Sequence, residues 1–345
     1  MSTINYSIII PHYNIPHLLL RCINSIPNRK DIEIIIVDDC SDSEYYNILN
    51  KEVTKLPHNI QILKPEKNGG GGKARNIGLK SARGKFVLFA DADDFFNYCV
   101  NDILDDYINT QYDIIFFNAN CVDSQTYTNQ RKTNHLNQYI ELWEKNPQTA
   151  ELYLRYMFGE PWCKMIRRNL ITDNNIYFDE TRIHNDTTFS YLVGFYAQSI
   201  YVDNRALYTY TIREGSVSRN KEKWKYYTKI DVFGRSELFF IKHKILLHED
   251  RHLKALYTLL RLKDKDGFNK GYEQLIKMGF NKQYINKYLA IDLAKQSILS
   301  IGFCLLFVPN VRIKIYCILY IFYISIPRLI KFKILRCPNN ELKRY

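Results

Sequence analysis

Gly84-Lys85-Phe86-Val87-Leu88-Phe89-Ala90-Asp91-Ala92-Asp93-Asp94 sets an apolar run of strand length directly before three carboxylates, with no turn residue between them. An unbroken run of β-branched and aromatic residues is the pattern of a strand buried on both faces. Three earlier runs share it: Tyr6 to Ile10, Ile32 to Val37 and Ile60 to Leu63. The segments between them read as helices. Asn14 and Pro16 suit a helix start, with Leu19, Cys22, Ile23 and Ile26 following on one face. Ser41 and Glu44 have the spacing of a capping box before a second helix. This alternation predicts an α/β fold with a doubly wound, mostly parallel sheet. Such sheets bind ligands beyond the carboxyl ends of their strands. Here Pro11 to Asn14, Asp38 and Asp39, Asn68 to Arg75, and Asp91 to Asp94 all fall at those ends. Four loops therefore converge on one crevice.

Further along, Asp113 to Asn118 reads as a strand, Leu136 to Met157 mainly as helix, Ile176 to Phe178 as strand-like, and Thr187 to Ala197 as helix. From about Lys221 the pattern turns helical and basic. These shifts divide the chain into residues 1–220, with a nucleotide half of about 1–110 and an acceptor half of about 111–220, and a helical region over 221–345.

At 345 residues the chain is long enough for one large core and a smaller module. Its eight cysteines are scattered without a CxxC pair, which points to reduced thiols rather than a zinc or disulfide framework. The N-terminus has no signal-peptide pattern, so a cytoplasmic location is expected. The net charge of +12 is concentrated late: from Ser297 onward eight Lys or Arg face one acid, leaving +5 over the first 296 residues. That tail is also apolar. Ser297 to Val311 and Ile315 to Pro327 are uncharged stretches too short to span a bilayer, bracketed by cations. They suit in-plane helices at an anionic inner-leaflet membrane surface better than a nucleic-acid interface, and a buried helical subdomain is the alternative.

Asp91 and Asp93, two residues apart on a strand end, would face the same side. Hard divalent cations such as Mn²⁺ or Mg²⁺ take one or two such carboxylates together with phosphate oxygens. A solvated loop would show the same letters. Asn68-Gly69-Gly70-Gly71-Gly72-Lys73 fails the P-loop pattern, because Lys67 stands at the first glycine position and Ala74 at the hydroxyl position. A glycine run opening a helix can still offer free amides to an anion.

Taken in order, Ser7 to Asn14, Ile32 to Ser41, Asn68-Gly69 through Ala74 to Leu79, and Gly84 to Asp94 resemble the family 2 glycosyltransferases, inverting enzymes with the GT-A fold. The resemblance continues through Trp162 to Arg168, Ile176 to Glu180, Asn185 to Phe189 and Tyr208 to Ser218, which are similar to the acceptor half of bacterial members that assemble surface polysaccharides. It implies that Pro11 and Tyr13 line the base pocket, that Asp39 accepts the uracil N3 proton with Asp38 supporting its loop, and that Arg75 lies near the diphosphate. It implies Asp93 as the principal metal ligand, with Asp91 near the ribose and metal.

Asp186 is the candidate catalytic base, the carboxylate that takes the acceptor hydroxyl proton. The family usually has Glu-Asp here, whereas this chain has Asn185-Asp186; Asp186 would equally serve as the N-cap of the following helix. Trp162 and Lys164 are candidates for an acceptor floor, and Arg213, Ser216 and Ser218 lie in a further motif without an assigned role. The implied function is transfer of a hexose or N-acetylhexosamine from a UDP-sugar to a glycan or lipid-linked oligosaccharide in lipopolysaccharide or capsule biosynthesis. The competing readings are a nucleotidyltransferase that makes nucleotide sugars, which should carry a glycine-rich basic loop where Pro11 to Asn14 stands, and a membrane-bound adaptor with a vestigial pocket.

Overall fold

The computed structural model describes residues 3–130, 134–213 and 222–294. The chain divides into two compact units, Met1–Asn220 and Lys221–Tyr345. The first runs β1 (Tyr6–His12), α1 (Pro16–Asn24), β2 (Ile32–Asp38), α2 (Ser43–Val53), β3 (Ile60–Leu63), α3 (Gly70–Ser81), β4 (Phe86–Phe89) and β5 (Phe95–Phe96). There follow α4 (Val100–Tyr107), β6 (Ile114–Asp123), α5 (Asn134–Lys145), α6 (Pro147–Tyr156), β7 (Lys164–Arg167), α7 (Arg168–Asp173), α8 (Thr187–Tyr196) and β8 (Ile200–Ile212). The strands form one sheet in the order β3-β2-β1-β4-β7-β6-β8-β5.

The β1, β2, β3 and β4 pairings are parallel, as the alternating runs require. β7 enters antiparallel between β4 and β6, and β8 runs parallel to β6. β1, β2 and β4 are covered on both faces, and their Ile, Val and Phe side chains form the core. Phe89 at the end of β4 packs edge-on against Phe178 and Phe189, which stack on each other with centroids 3.9 Å apart. That aromatic cluster fixes the second half of the unit beneath the carboxyl end of β4.

Four local expectations are corrected. β3 is an edge strand with half-exposed residues, because nothing pairs with its outer side among the described residues. Ser41 and Glu44 form no capping box: α2 begins after Asp42, and the Ser41 hydroxyl accepts from Asn14 N–H at 2.9 Å instead. Leu136 to Met157 is two helices, since Asn146 caps a new start by accepting from Thr149 N–H at 3.1 Å and Pro147 opens α6. Ile176 to Phe178 is extended but outside the sheet. The Asn76 side chain does a strand partner's work there, donating to Phe178 O at 3.0 Å and accepting from Phe178 N–H at 2.8 Å.

The second unit is helical, with α9 (Trp224–Lys242), α10 (Arg251–Arg261), α11 (Lys265–Met278) and α12 (Lys282–Ala294). Its core gathers Ile230, Leu253, Leu256, Leu259, Leu275 and Ile285. The tail expected to meet a membrane lies outside the described residues. Among the described residues no helix is long and apolar enough to cross one.

Candidate active site

The crevice at the carboxyl ends of β1, β2 and β4 is built from loops that brace one another. Asn14 adopts the left-handed conformation, φ 56°, and exchanges two hydrogen bonds with Asp42 on the neighbouring loop. His12, buried at the end of β1, donates from Nδ1 to Asp38 at 2.8 Å, while its Nε2 accepts from Ile15 N–H at 3.2 Å. This pair of contacts requires the neutral Nδ1–H tautomer. Burial would raise the Asp38 carboxyl, but the His12 and Ser41 hydrogen bonds outweigh it and hold the group below its ordinary range. Asp38 is therefore a fixed anion inside the loop, a supporting post.

Asp39 faces the glycine run. Its two oxygens accept from Gly69 N–H at 2.8 Å and Gly70 N–H at 2.6 Å, and Asn68 Nδ2 reaches its carbonyl at 2.7 Å. The amides at the start of α3 are thus met by an anion from the protein's own β2 loop, which offsets the partial positive charge of a helix N-terminus. Gly70 sits at φ +80°, where a glycine is needed to bring both amides onto one carboxylate. Pro11 is half-buried and Tyr13 is exposed, both on the same rim.

The acidic segment does not continue β4. The last ladder bond is Ala90 N–H to Ile9 O, and Asp94 N–H then closes a turn onto Asp91 O at 3.0 Å. Asp91 and Asp93 are therefore the first and third residues of a β-turn, which corrects the expectation that strand periodicity aligns them. Asp94, which the sequence left without a role, is the buried anchor of this turn. It accepts from Tyr208 Oη at 3.0 Å and Thr211 N–H at 2.7 Å, and Tyr208 Oη accepts from Asp91 N–H at 2.8 Å. Burial first, then Asp93 and Asp91, push its carboxyl well above the usual range. From the other side, Arg21 on α1 donates to the Asp93 carbonyl, which also accepts from Thr211 Oγ1 at 2.6 Å.

Both forward carboxylates of the turn are paired with arginine. Arg75 donates to Asp91 Oδ1 at 2.5 Å, and Arg213 donates to Asp93 Oδ2 at 2.6 Å. Among the described residues no group of three His, Cys, Asp or Glu forms a protein-only metal cage. The donor set nevertheless fits a hard divalent cation that takes one or two carboxylates and completes its shell with phosphate and water. Asp91 and Asp93 each hold one oxygen outside their arginine contact.

Arg75 also reaches across the crevice, donating to Asn185 Oδ1 at 3.0 Å, with its guanidinium 5.4 Å from the Phe178 ring centre. It brings Asp91 and the Asn185-Asp186 pair to one place. Gly72, one helical turn before Asn76, makes this approach possible: a Cβ there would lie 2.0 Å from Asp179 O and 2.9 Å from Asn185 Cβ. Asp186 precedes α8 without capping it, and among the described residues no other residue donates to its side chain. Its carboxyl is pushed up to about 6 by burial and then by Glu160, against the pull of Arg75. It is a half-buried carboxylate held ready to accept a proton.

Lys164 and Trp162 are placed differently from an acceptor floor. Lys164 is 3% exposed, and its Nζ donates inward to Phe158 O at 2.5 Å and to Ser190 Oγ at 3.2 Å. Trp162 is nearly covered and stacks between Tyr208 and Tyr210, with ring centres 5.5 and 5.2 Å away. Residue type alone cannot separate a surface lysine from this buried one. Arg21 carried no local pattern and Arg213 lay in a motif without an assigned role, because their partner Asp93 is 72 and 120 positions away in sequence. Ser216 and Ser218 lie outside the described residues.

A mixed sheet with its crevice at the carboxyl end of a parallel half, an acidic turn and a facing carboxylate defines the GT-A class of nucleotide-sugar transferase folds. Residues 7–173 match the model described as Glycosyl transferase family 2. The chain carries a glycosyl transferase family 2 domain. It is 30% identical over 221 residues to the poly(ribitol-phosphate) beta-N-acetylglucosaminyltransferase TarS of Staphylococcus aureus (strain MW2), covering 61% of this chain and 36% of that protein. It therefore spans little more than a third of TarS. The putative glycosyltransferase EpsH of Bacillus subtilis (strain 168) is 26% identical over 278 residues, 76% of each. Among solved structures, S. aureus TarS 1-349 in complex with UDP-GlcNAc aligns with a TM-score of 0.61 at 20% identity, covering 93% of this chain and 90% of that chain. The mannosyltransferase PcManGT from Pyrobaculum calidifontis, in complex with GDP-Man and Mn²⁺, aligns at 0.51 and 11% identity, covering 94% and 89%.

Proposed function

We propose that the chain is an inverting, metal-assisted glycosyltransferase that moves a sugar from a UDP-sugar to a glycan. The observation that carries this reading is the Arg75 bridge, which brings the acidic turn through Asp91 to within reach of the loop bearing Asp186. A donor-binding and an acceptor-activating group then share one crevice.

In this reading Pro11 and Tyr13 flank the base, Asp39 receives the uracil N3 proton, and Arg75 turns toward the diphosphate. Asp93 and Asp91 hold Mn²⁺ or Mg²⁺, which supplies neutralisation of charge on the leaving diphosphate. Asp186 takes the proton of the acceptor hydroxyl as its oxygen attacks the anomeric carbon from the side opposite the leaving group. Its raised proton affinity suits that task, because a base works best when its protonation midpoint is close to the working pH. The kinship to TarS, a poly(ribitol-phosphate) beta-N-acetylglucosaminyltransferase by name, supports an N-acetylhexosamine donor and a surface-polymer acceptor; the reading also takes in a hexose donor and a glycan or lipid-linked acceptor of lipopolysaccharide or capsule biosynthesis. A cytoplasmic enzyme whose basic, apolar tail rests on the inner leaflet would meet such an acceptor.

The test is a panel of UDP- and GDP-sugars with Mn²⁺ and Mg²⁺, reading nucleotide release and transfer for the wild type, Asp93→Ala and Asp186→Ala. Transfer is expected to vanish in both variants, with metal-dependent UDP binding retained only in Asp186→Ala. Full transfer by Asp186→Ala would remove the base assignment.

A further inference from the structure

Asn185 stands where the two halves of the crevice meet, and both polar atoms of its side chain are engaged. Its Nδ2 donates to Thr181 O at 3.2 Å, within its own loop, and its Oδ1 accepts from Arg75 Nη1 at 3.0 Å. Its backbone carbonyl accepts from Asp179 N–H at 2.9 Å. A carbonyl only accepts, so the Thr181 contact turns the amide nitrogen inward and the amide oxygen to the guanidinium.

The facing helix leaves room for this contact. Arg75 lies one turn beyond Gly71, and a Cβ on Gly71 would crowd Arg75 Nη1 at 3.2 Å, while a Cβ on Gly72 would lie 2.9 Å from Asn185 Cβ. The glycine run that fails the P-loop pattern thus has a steric use: it bares the first turn of α3 so that Arg75 and Asn185 can meet beside it.

The charge balance follows from the partners. Arg75 is 7% exposed, and its guanidinium meets one carboxylate, Asp91, through Nη2 at 2.5 Å and one neutral oxygen through Nη1. Its Nε has no hydrogen bond among the described residues, so the fork has donors to spare. A carboxylate at position 185 would hold the same Nη1 more tightly and cancel charge that a neutral amide leaves in place.

We propose that Asn185 is a positioning residue for the donor's diphosphate: as a neutral tether it fixes the Arg75 guanidinium in the crevice while leaving its positive charge for the phosphates. This rests on reading Arg75 as the diphosphate contact.

The measurement is calorimetric affinity of the full chain for UDP and for uridine, which lacks the phosphates, at saturating Mn²⁺. Asn185→Asp is expected to weaken UDP about tenfold and leave uridine within about twofold, because the added carboxylate claims the guanidinium. Asn185→Ala removes the tether without adding charge and should weaken UDP only about threefold. A merely structural role predicts the reverse order, since alanine discards every side-chain bond of Asn185 and aspartate keeps its shape. UDP affinity in Asn185→Asp equal to the wild type or above that of Asn185→Ala overturns the proposal, as does a loss shared equally by uridine. Binding is read rather than turnover because the aspartate also adds a charge beside Asp186. Arg75→Gln separates the underlying reading. Wild-type UDP affinity in that variant would remove Arg75 from the diphosphate and the tether with it, whereas a UDP loss there but none in Asn185→Asp removes the tether alone.

Discussion

Arg213 Nε lies 2.6 Å from Asp93 Oδ2, which places a protein cation on the carboxylate proposed to hold the metal. Both side chains are partly exposed, so the pair contributes little to stability, on the order of 1 kcal/mol or less. Its chemical meaning is competition. Arg213→Gln is expected to bind Mn²⁺ alone about two- to fivefold more tightly, as calorimetry would measure. Unchanged affinity would mean that the arginine leaves Asp93 at no cost.

Asp39 links nucleotide recognition to helix stability through its bonds to Gly69 and Gly70. Removing a charged acceptor from two backbone amides costs about 2 kcal/mol. Asp39→Ala should lower urea-unfolding stability by roughly that amount and abolish UDP binding. Asp39→Asn should recover part of the stability and none of the binding.

Gly72→Ala tests the approach of the two halves of the crevice. The added methyl meets Asp179 O at 2.0 Å, so the 179–186 loop must move. Overpacking of this kind costs about 2 kcal/mol, and transfer should fall more than tenfold while UDP binding falls less. Stability and activity equal to wild type would show that the loop is not held there.

The raised proton affinity of Asp186 has a pH signature of definite sign. The base is the ionised form, so transfer should decline as pH drops below about 6. In stability the same shift acts the other way. The folded chain holds this proton more firmly than the unfolded chain, whose midpoint is near 3.8, so ionising Asp186 destabilises the fold above pH 6. Asp186→Asn should thus be inactive yet about 2 kcal/mol more stable at pH 8, an advantage that disappears on acidification toward pH 4. A variant less stable than wild type at pH 8 would contradict this.

In the second unit, His252 is fully buried against Phe280, and its ring nitrogens have no hydrogen bond of ordinary geometry among the described residues. Burial pushes it down to about 4, against the pull of Glu249 and Asp250. The unfolded chain therefore binds a proton that the folded one refuses, and stability falls as pH drops from 6.5 toward 4. His252→Phe should blunt that acid loss, read as unfolding midpoints at pH 5 and 7.

The parallel half of the sheet was legible because strands buried on both faces must be apolar throughout, as Tyr6 to Ile10 and Phe86 to Phe89 are. The ends of those runs located the crevice for the same reason. What stayed hidden depended on distant partners. Ile176 to Phe178 has strand composition, but Asn76 satisfies its backbone from a helix 102 residues away in sequence. Asp91 and Asp93 look like strand neighbours, yet Asp94, Tyr208 and Thr211 hold them in a turn. Lys164 carries the letter of a surface residue and the environment of a core one, with Phe158 and Ser190 deciding its place.

The insertion of β7 beside β4 has a consequence for synthesis. On the ribosome β1 to β4 emerge first, and the pairing of Phe86 with Arg167 and Val87 with Ile166 waits for about eighty more residues to be made. Throughout that interval the nascent sheet carries a raw, wholly apolar edge, Phe86 to Phe89, open to any strand that passes. The chain's exposure to misassembly is thus concentrated in one interval of translation, and a pause between residues 90 and 163 would lengthen it.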